Sequence, residues 1–233
     1  MSFPQLEPKP HLGLSTVLES QIYIVDDILT HDELLGLMEW TKSMEMEGPK
    51  KAGKGEAERT SRRSAVHSPE IASKLLNLLS LQIQSLSPAT PIQLSPNIRL
   101  YHYPPKTYFR PHYDTPQLDP TSRRLSSWTI LIYLTTPIGG STVFHLSDPN
   151  VTKQKSAGVR GDKERGRGKI KSTEERKVGT GSEMGRRERL LVEAKAGRVC
   201  FHWHGVTRGG CLLHEGEEVL SGDKWVLRTD ILG

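Results

Sequence analysis

Cysteine is scarce in this chain: Cys200 and Cys211 are the only two among 233 residues. They cannot form a disulfide framework, and no C-x-x-C or Cys/His cluster of zinc-ribbon spacing exists. A reducing compartment, cytoplasm or nucleus, is therefore expected. Long apolar runs are also missing. No stretch approaches the roughly 18 apolar residues of a membrane span, and the opening MSFPQLEPKPHLGLST lacks a basic segment followed by an apolar one. The expectation is a soluble protein, neither secreted nor membrane-anchored. Acidic charge is thin in one place only. Residues 151–189 hold 13 Lys/Arg against 6 Asp/Glu, and the remainder is slightly acidic, so the net charge of +5 belongs to one segment.

The length suits one core. Residues 1–20, rich in proline and polar groups at the start, read as a flexible tail, and residues 21–233 as one domain. Gln21 to Val25 is a β-branched and aromatic run closed by Asp26-Asp27, which predicts a short strand. Thr30-His31-Asp32-Glu33 has the form of a capping box, and Leu34, Leu37, Met38 and Thr41 follow at helical spacing. Residues 45–63 read as a polar, glycine-punctuated loop. Ser68-Pro69-Glu70 offers an N-cap, a first-turn proline and an acidic first turn. Ile71, Leu75, Leu78, Leu79 and Gln82 then mark a second amphipathic helix ending by Pro88.

From Ile98 the texture changes to short strands separated by proline and glycine: 98–103, 108–114, 127–134, 141–145, 197–203 and 224–231. The pattern predicts a mainly β fold with flanking helices (α+β), an antiparallel sandwich or jelly roll. The segment 147–188, dominated by Lys, Arg, Glu, Gly and Ser, interrupts this body and is expected to be a disordered insertion. It contains no aromatic residue for base stacking, so an inert spacer is favoured over a nucleic-acid patch.

The chemistry is carried by a few residues. His112 and Asp114 stand two apart on a predicted strand, so an imidazole and a carboxylate point the same way, towards one metal. His214 is a third ligand candidate, and Lys224 follows it by ten residues at the head of an apolar strand. Two histidines and one carboxylate leave three open positions on a metal, the arrangement of non-haem Fe(II) oxygenases. A lysine pointing into a barrel needs an anionic partner, here the far carboxylate of a dicarboxylate cosubstrate. Tyr103 can donate its hydroxyl to the same molecule, and Arg228, on the same strand face as Lys224, is a second cation for it.

These pieces resemble the iron(II)- and 2-oxoglutarate-dependent dioxygenases, specifically the prolyl 4-hydroxylase alpha-subunit-like catalytic domain. The matching stretches run in family order: Arg99 to Tyr103, Phe109 to Asp114, Thr129 to Leu134 leading into Gly139 to Phe144, Gly197 to Phe201, His214-Glu215-Gly216, and Gly222 to Trp225. Gln21 to Trp40 is similar to the strand-and-helix preface of these enzymes. The resemblance implies a double-stranded β-helix (jelly roll) with an N-terminal strand and two helices packed on it. It assigns His112, Asp114 and His214 to iron, Lys224 to the distal carboxylate of 2-oxoglutarate, and Tyr103 to the lining of that pocket. It also implies O2 as second substrate and L-ascorbate as reductant. The hydroxylated partner is expected to be a peptidyl proline, another protein side chain or a small molecule. The long insertion after Phe144 departs from the family's short hairpin.

Plainer readings stand beside these. His202 and His204 share a strand face, but their distance from Lys224 suits surface or hydrogen-bonded histidines better than ligands. His102 and His145 are expected to flank the pocket or face solvent. Trp128, Trp203 and Trp225 read as packing residues, and Cys200 and Cys211 as buried or half-buried thiols. An inactive jelly roll that holds a metal, or a nucleic-acid-associated module working through the insertion, is the alternative function.

Overall fold

A computed structural model describes residues 2–86, 91–146 and 188–233. The expected disordered insertion thus lies, apart from Glu188, outside the described residues. Helix α1 (His31–Lys42) begins where the capping box places it: Thr30 Oγ1 accepts the Glu33 amide at 3.2 Å and the Glu33 carboxylate accepts the Thr30 amide at 2.7 Å. Helix α2 (Pro69–Leu86) opens on Ser68, whose Oγ accepts the Ile71 amide at 3.2 Å. Its buried face carries Ile71, Leu75, Leu78, Leu79 and Ile83.

The strands are β1 (Ser15–Leu18), β2 (Ile22–Val25), β3 (Arg62–His67), β4 (Gln93–Leu94), β5 (Asn97–Tyr103), β6 (Phe109–His112) and β7 (Ser126–Tyr133). They continue as β8 (Ile138–Gly139), β9 (Thr142–His145), β10 (Arg189–Val192), β11 (Val199–Trp203), β12 (Leu213–Gly216), β13 (Val219–Ser221) and β14 (Lys224–Leu232). A large sheet runs β1-β2-β11-β7-β14-β5-β3, with β4 also on β14, and a small sheet runs β10-β9-β12-β6. A separate two-stranded sheet pairs β8 with β13, and the remaining strands from β5 onward are divided between the large and small sheets with antiparallel neighbours, which makes the fold a jelly roll.

Strand alternation gives the large sheet two different faces. Ile98, Leu100, Trp128, Ile130, Ile132, Phe201, Leu227 and Ile231 join the helices in one apolar cluster. Their neighbours in sequence turn towards the small sheet, where Tyr133, Phe144, Val192, Cys200 and Val226 form a second, smaller cluster. The site lies on that inner face.

Two expectations are corrected. Residues 2–20 are packed rather than frayed. Phe3 meets Trp40 edge-on with ring centroids 4.9 Å apart, Leu6 is fully buried, Lys9 pairs with Glu33 at 3.0 Å, and β1 adds a strand to β2. Two large apolar side chains suffice to tie the segment to the helices, each worth about 1.5–3 kcal/mol when buried. Secondly, the supposed loop 45–63 ends in a strand, because Arg62–His67 pairs along all of its length with β5. Its polar sequence suits a sheet edge, where only Ser64 is buried.

Candidate active site

Cross-strand register builds the centre. His112 at the end of β6 faces His214 of β12, with ring centroids 4.4 Å apart. Asp114, two residues past His112, brings its carboxylate to 3.7 Å from His214 Nε2, and candidate ligand atoms of all three residues lie within 4.8 Å of one another. In each histidine Nδ1 lies against the backbone carbonyl oxygen two residues upstream: Arg110 O at 2.8 Å for His112, Leu212 O at 2.9 Å for His214. A carbonyl accepts, so Nδ1 carries the proton and Nε2 keeps its lone pair, the tautomer of a metal-ligating imidazole.

Electrostatics agree with that tautomer. Burial, and then the neighbouring His214, hold His112 down at about 4, and burial lowers His214 as well, so both rings are neutral near pH 7. Burial alone would raise the Asp114 carboxyl, but Arg228, followed by His214 and His202, draws it well below the ordinary range. Two neutral imidazoles and one ionised carboxylate make a donor set that fits a divalent first-row metal.

Arg228 is already engaged. Its guanidinium grips Asp114 with both arms at 2.9 Å and reaches Asp230 at 3.3 Å, while Thr129 Oγ1 donates to Asp114 at 3.0 Å. Lys224 differs. It is buried at the other end of the same cavity, where Nζ donates to Gly140 O at 2.6 Å and lies 5.0 Å from the Tyr103 ring centre and 5.6 Å from that of Tyr133. No carboxylate among the described residues pairs with it, and burial lowers it to about 8. The close approach of the Gly140 carbonyl needs glycine there: at φ +72°, a Cβ would meet Val219 at 2.8 Å and Lys224 Cδ at 3.3 Å. Tyr103 pairs with Lys224 across β5 and β14, and burial raises its phenol. Together with His112, His202, His214 and Arg228 these residues line about 450 Å³ of space open to solvent on one side.

One histidine is where it was not expected. His202 is neither on the surface nor hydrogen-bonded at Nε2. It is fully buried, with Nε2 3.6 Å from Asp114 Oδ2 and no partner among the described residues. An unpartnered polar group of this kind costs about 1–3 kcal/mol. Alternation already held the signal: with Phe201 and Trp203 facing the helices, residue 202 faces the site. His204 is the hydrogen-bonded histidine that was expected, bound to Ser126 at 2.8 Å and Thr129 at 2.9 Å. Cys211, half-buried, accepts the Asp114 amide at 3.3 Å and forms a second possible donor group with His202 and His214. His102 stacks on Trp225 and His145 pairs with Glu215 at 3.0 Å, both apart from the triad.

No protein-family profile and no curated protein matches the chain. Solved structures do. A viral collagen prolyl hydroxylase from Paramecium Bursaria Chlorella virus-1, in its 2OG complex, is similar at TM-score 0.53 and 16% identity, over 91% of this chain and 96% of that one. A prolyl-4-hydroxylase from Pseudomonas putida is similar at TM-score 0.51 and 14% identity (91% and 92% covered). An oxidoreductase of the 2OG-Fe(II) oxygenase family from Burkholderia pseudomallei is similar at 0.54 and 13% (92% and 86%). At such identities the likeness establishes the jelly-roll fold over nearly the whole described chain. No helix among the described residues is long and apolar enough to cross a membrane.

Proposed function

We propose that this chain is an iron(II)- and 2-oxoglutarate-dependent dioxygenase of the prolyl 4-hydroxylase type. The observation that carries the proposal is a two-histidine, one-carboxylate cluster whose histidines line the same cavity as a buried ammonium that has no counter-ion among the described residues. His112, Asp114 and His214 would hold the metal through Nε2, Nε2 and a carboxylate oxygen. Lys224 would bind the distal carboxylate of 2-oxoglutarate, and that anion would supply the partner the ammonium lacks. Tyr103, against Lys224, shapes the same end of the pocket. Arg228 was the second candidate for the carboxylate; gripping Asp114, it instead keeps the ligand ionised and oriented. Iron with 2-oxoglutarate and O2 would supply the oxidising chemistry, decarboxylating the keto acid to succinate while a substrate C–H bond is hydroxylated. The protein's own work is to fix the donors, neutralise the cosubstrate and keep water out.

A peptidyl proline, another protein side chain or a small molecule would be the substrate, with ascorbate keeping the iron reduced. Free thiols at Cys200 and Cys211 suit the cytoplasm or nucleus. The nucleic-acid alternative rests on the insertion and draws nothing from this cavity. The test is an anaerobic titration with Fe(II) and then 2-oxoglutarate. A visible charge-transfer band requiring both additions, and lost in His214→Ala, is expected; no band from folded, metal-loaded protein would overturn the proposal.

A further inference from the structure

His202 has no task in the site described so far, yet the fold spends a fully buried position on it. One feature it shares with a histidine proposed as ligand, and one sets it apart from both. Its Nε2 stands as close to Asp114 Oδ2 (3.6 Å) as that of His214 does (3.7 Å), so the carboxylate oxygen lies between two imidazoles that reach it from opposite sheets. And among the described residues no carbonyl anchors His202 Nδ1, whereas His112 and His214 are each held in the ligating tautomer by a backbone carbonyl. His202 is therefore free to carry its proton on Nε2, which is buried and has no partner among the described residues, in a ring that lines the same cavity as His112, His214 and Lys224. A ring that packed only as an apolar filler would leave that nitrogen permanently without a partner.

Resting on the dioxygenase reading, we propose that His202 is a positioning residue for the cosubstrate: Nε2–H donates a hydrogen bond to the keto-acid carboxylate of 2-oxoglutarate at the metal. The cosubstrate is then held at both ends by the large sheet, Lys224 of β14 at the distal carboxylate and His202 of β11 at the reacting one. The small sheet supplies the two imidazole ligands. Such a bond fixes which way the keto acid lies in the site before oxygen arrives, and positioning of this kind governs rate strongly.

The experiment uses the full chain and two spectroscopic readouts. Co(II) affinity, measured without 2-oxoglutarate, reports the metal ligands; the Fe(II)–2-oxoglutarate band, titrated anaerobically, reports the cosubstrate. His202→Phe keeps size and burial and removes the nitrogen. His202→Gln returns a donor at similar reach. The expected result is Co(II) affinity within about threefold of wild type in both variants. In His202→Phe the 2-oxoglutarate dissociation constant should rise about tenfold or more with a shifted band maximum, and His202→Gln should recover most of both. Co(II) affinity falling as far as in His214→Ala would make His202 a fourth metal ligand and overturn the assignment. So would an unchanged band and affinity in His202→Phe, which would leave the residue a packed core histidine. Should wild type itself give no band, the dioxygenase reading fails, and this inference with it. Failure of the inference alone leaves the wild-type band intact.

Discussion

The two faces of the large sheet are made by the same strands, one residue apart, and they have little else in common. On the helix side β14 offers Leu227 and Ile231, β7 offers Trp128, Ile130 and Ile132, and β11 offers Val199 and Phe201. On the inner side the same strands offer Lys224, Arg228 and Asp230, then Thr129 and Tyr133, then Cys200 and His202, every one of them buried. The first face gains stability from area removed from water. The second gives stability up, holding a cation without a counter-ion and an imidazole nitrogen without a partner among the described residues, and this is the pattern expected of a site built to receive a ligand. The lesson is that stability and chemistry are separated here across a sheet rather than along the chain.

Substitutions on opposite faces should therefore fail in opposite ways. The largest effect belongs to the helix face. Trp128→Ala should lower unfolding free energy by about 3–5 kcal/mol in chemical denaturation, while whatever remains folded keeps the Fe(II)–2-oxoglutarate band. On the inner face Lys224→Met should do the reverse. Removing a buried unpaired ammonium raises stability by about 1–3 kcal/mol, while 2-oxoglutarate binding weakens by at least ~30-fold through loss of the buried charge pair. A variant that lost both would show that the two faces are not separable.

The pH dependence sharpens the same contrast. Burial holds Lys224 at about 8 in the folded chain against 10.5 when unfolded. Between those values the unfolded chain binds a proton that the folded one does not, so stability contributed at this residue rises with pH from about 8 to 10.5. Only the protonated amine binds the cosubstrate, so 2-oxoglutarate affinity falls over the same window. Subtracting Lys224→Met from wild type, in denaturation and in binding across pH 7–10.5, should isolate the two opposite slopes. The smallest effect is Thr30→Ala. Loss of the capping box should cost about 1 kcal/mol of stability and leave metal and cosubstrate binding unchanged.

Much of this was legible in residue spacing. The capping box at Thr30 and the cap at Ser68 located both helices within a residue. His112 and Asp114 stood out as an imidazole and a carboxylate two residues apart, but β6 ends at His112, so the carboxylate reaches the site from the segment after the strand rather than by strand alternation. Lys224 was recognisable as a charge at the head of an apolar strand. Arg62–His67 was not legible as a strand, since an edge strand pairs through its backbone and leaves its polar side chains in water. Nor were Phe3 and Leu6, which look like isolated apolar residues in a proline-rich stretch until Trp40 is placed beside Phe3.

What the chain determines by itself is therefore local: helix starts, strand periodicity, and which residues share a face, because these depend on neighbours within a few positions. Which of two cations stays free, and which of three histidines lacks a partner, was decided only by tertiary structure. Arg228 is occupied because β14 pairs with β7 and carries it beneath Asp114, and Lys224 is open because its end of the strand meets Gly140 instead of a carboxylate. His202 reaches the triad only because the second sheet closes over the first. Such outcomes depend on which side chains, more than a hundred positions apart in the case of Asp114 and Arg228, come within 3 Å, and no spacing along the chain encodes that distance.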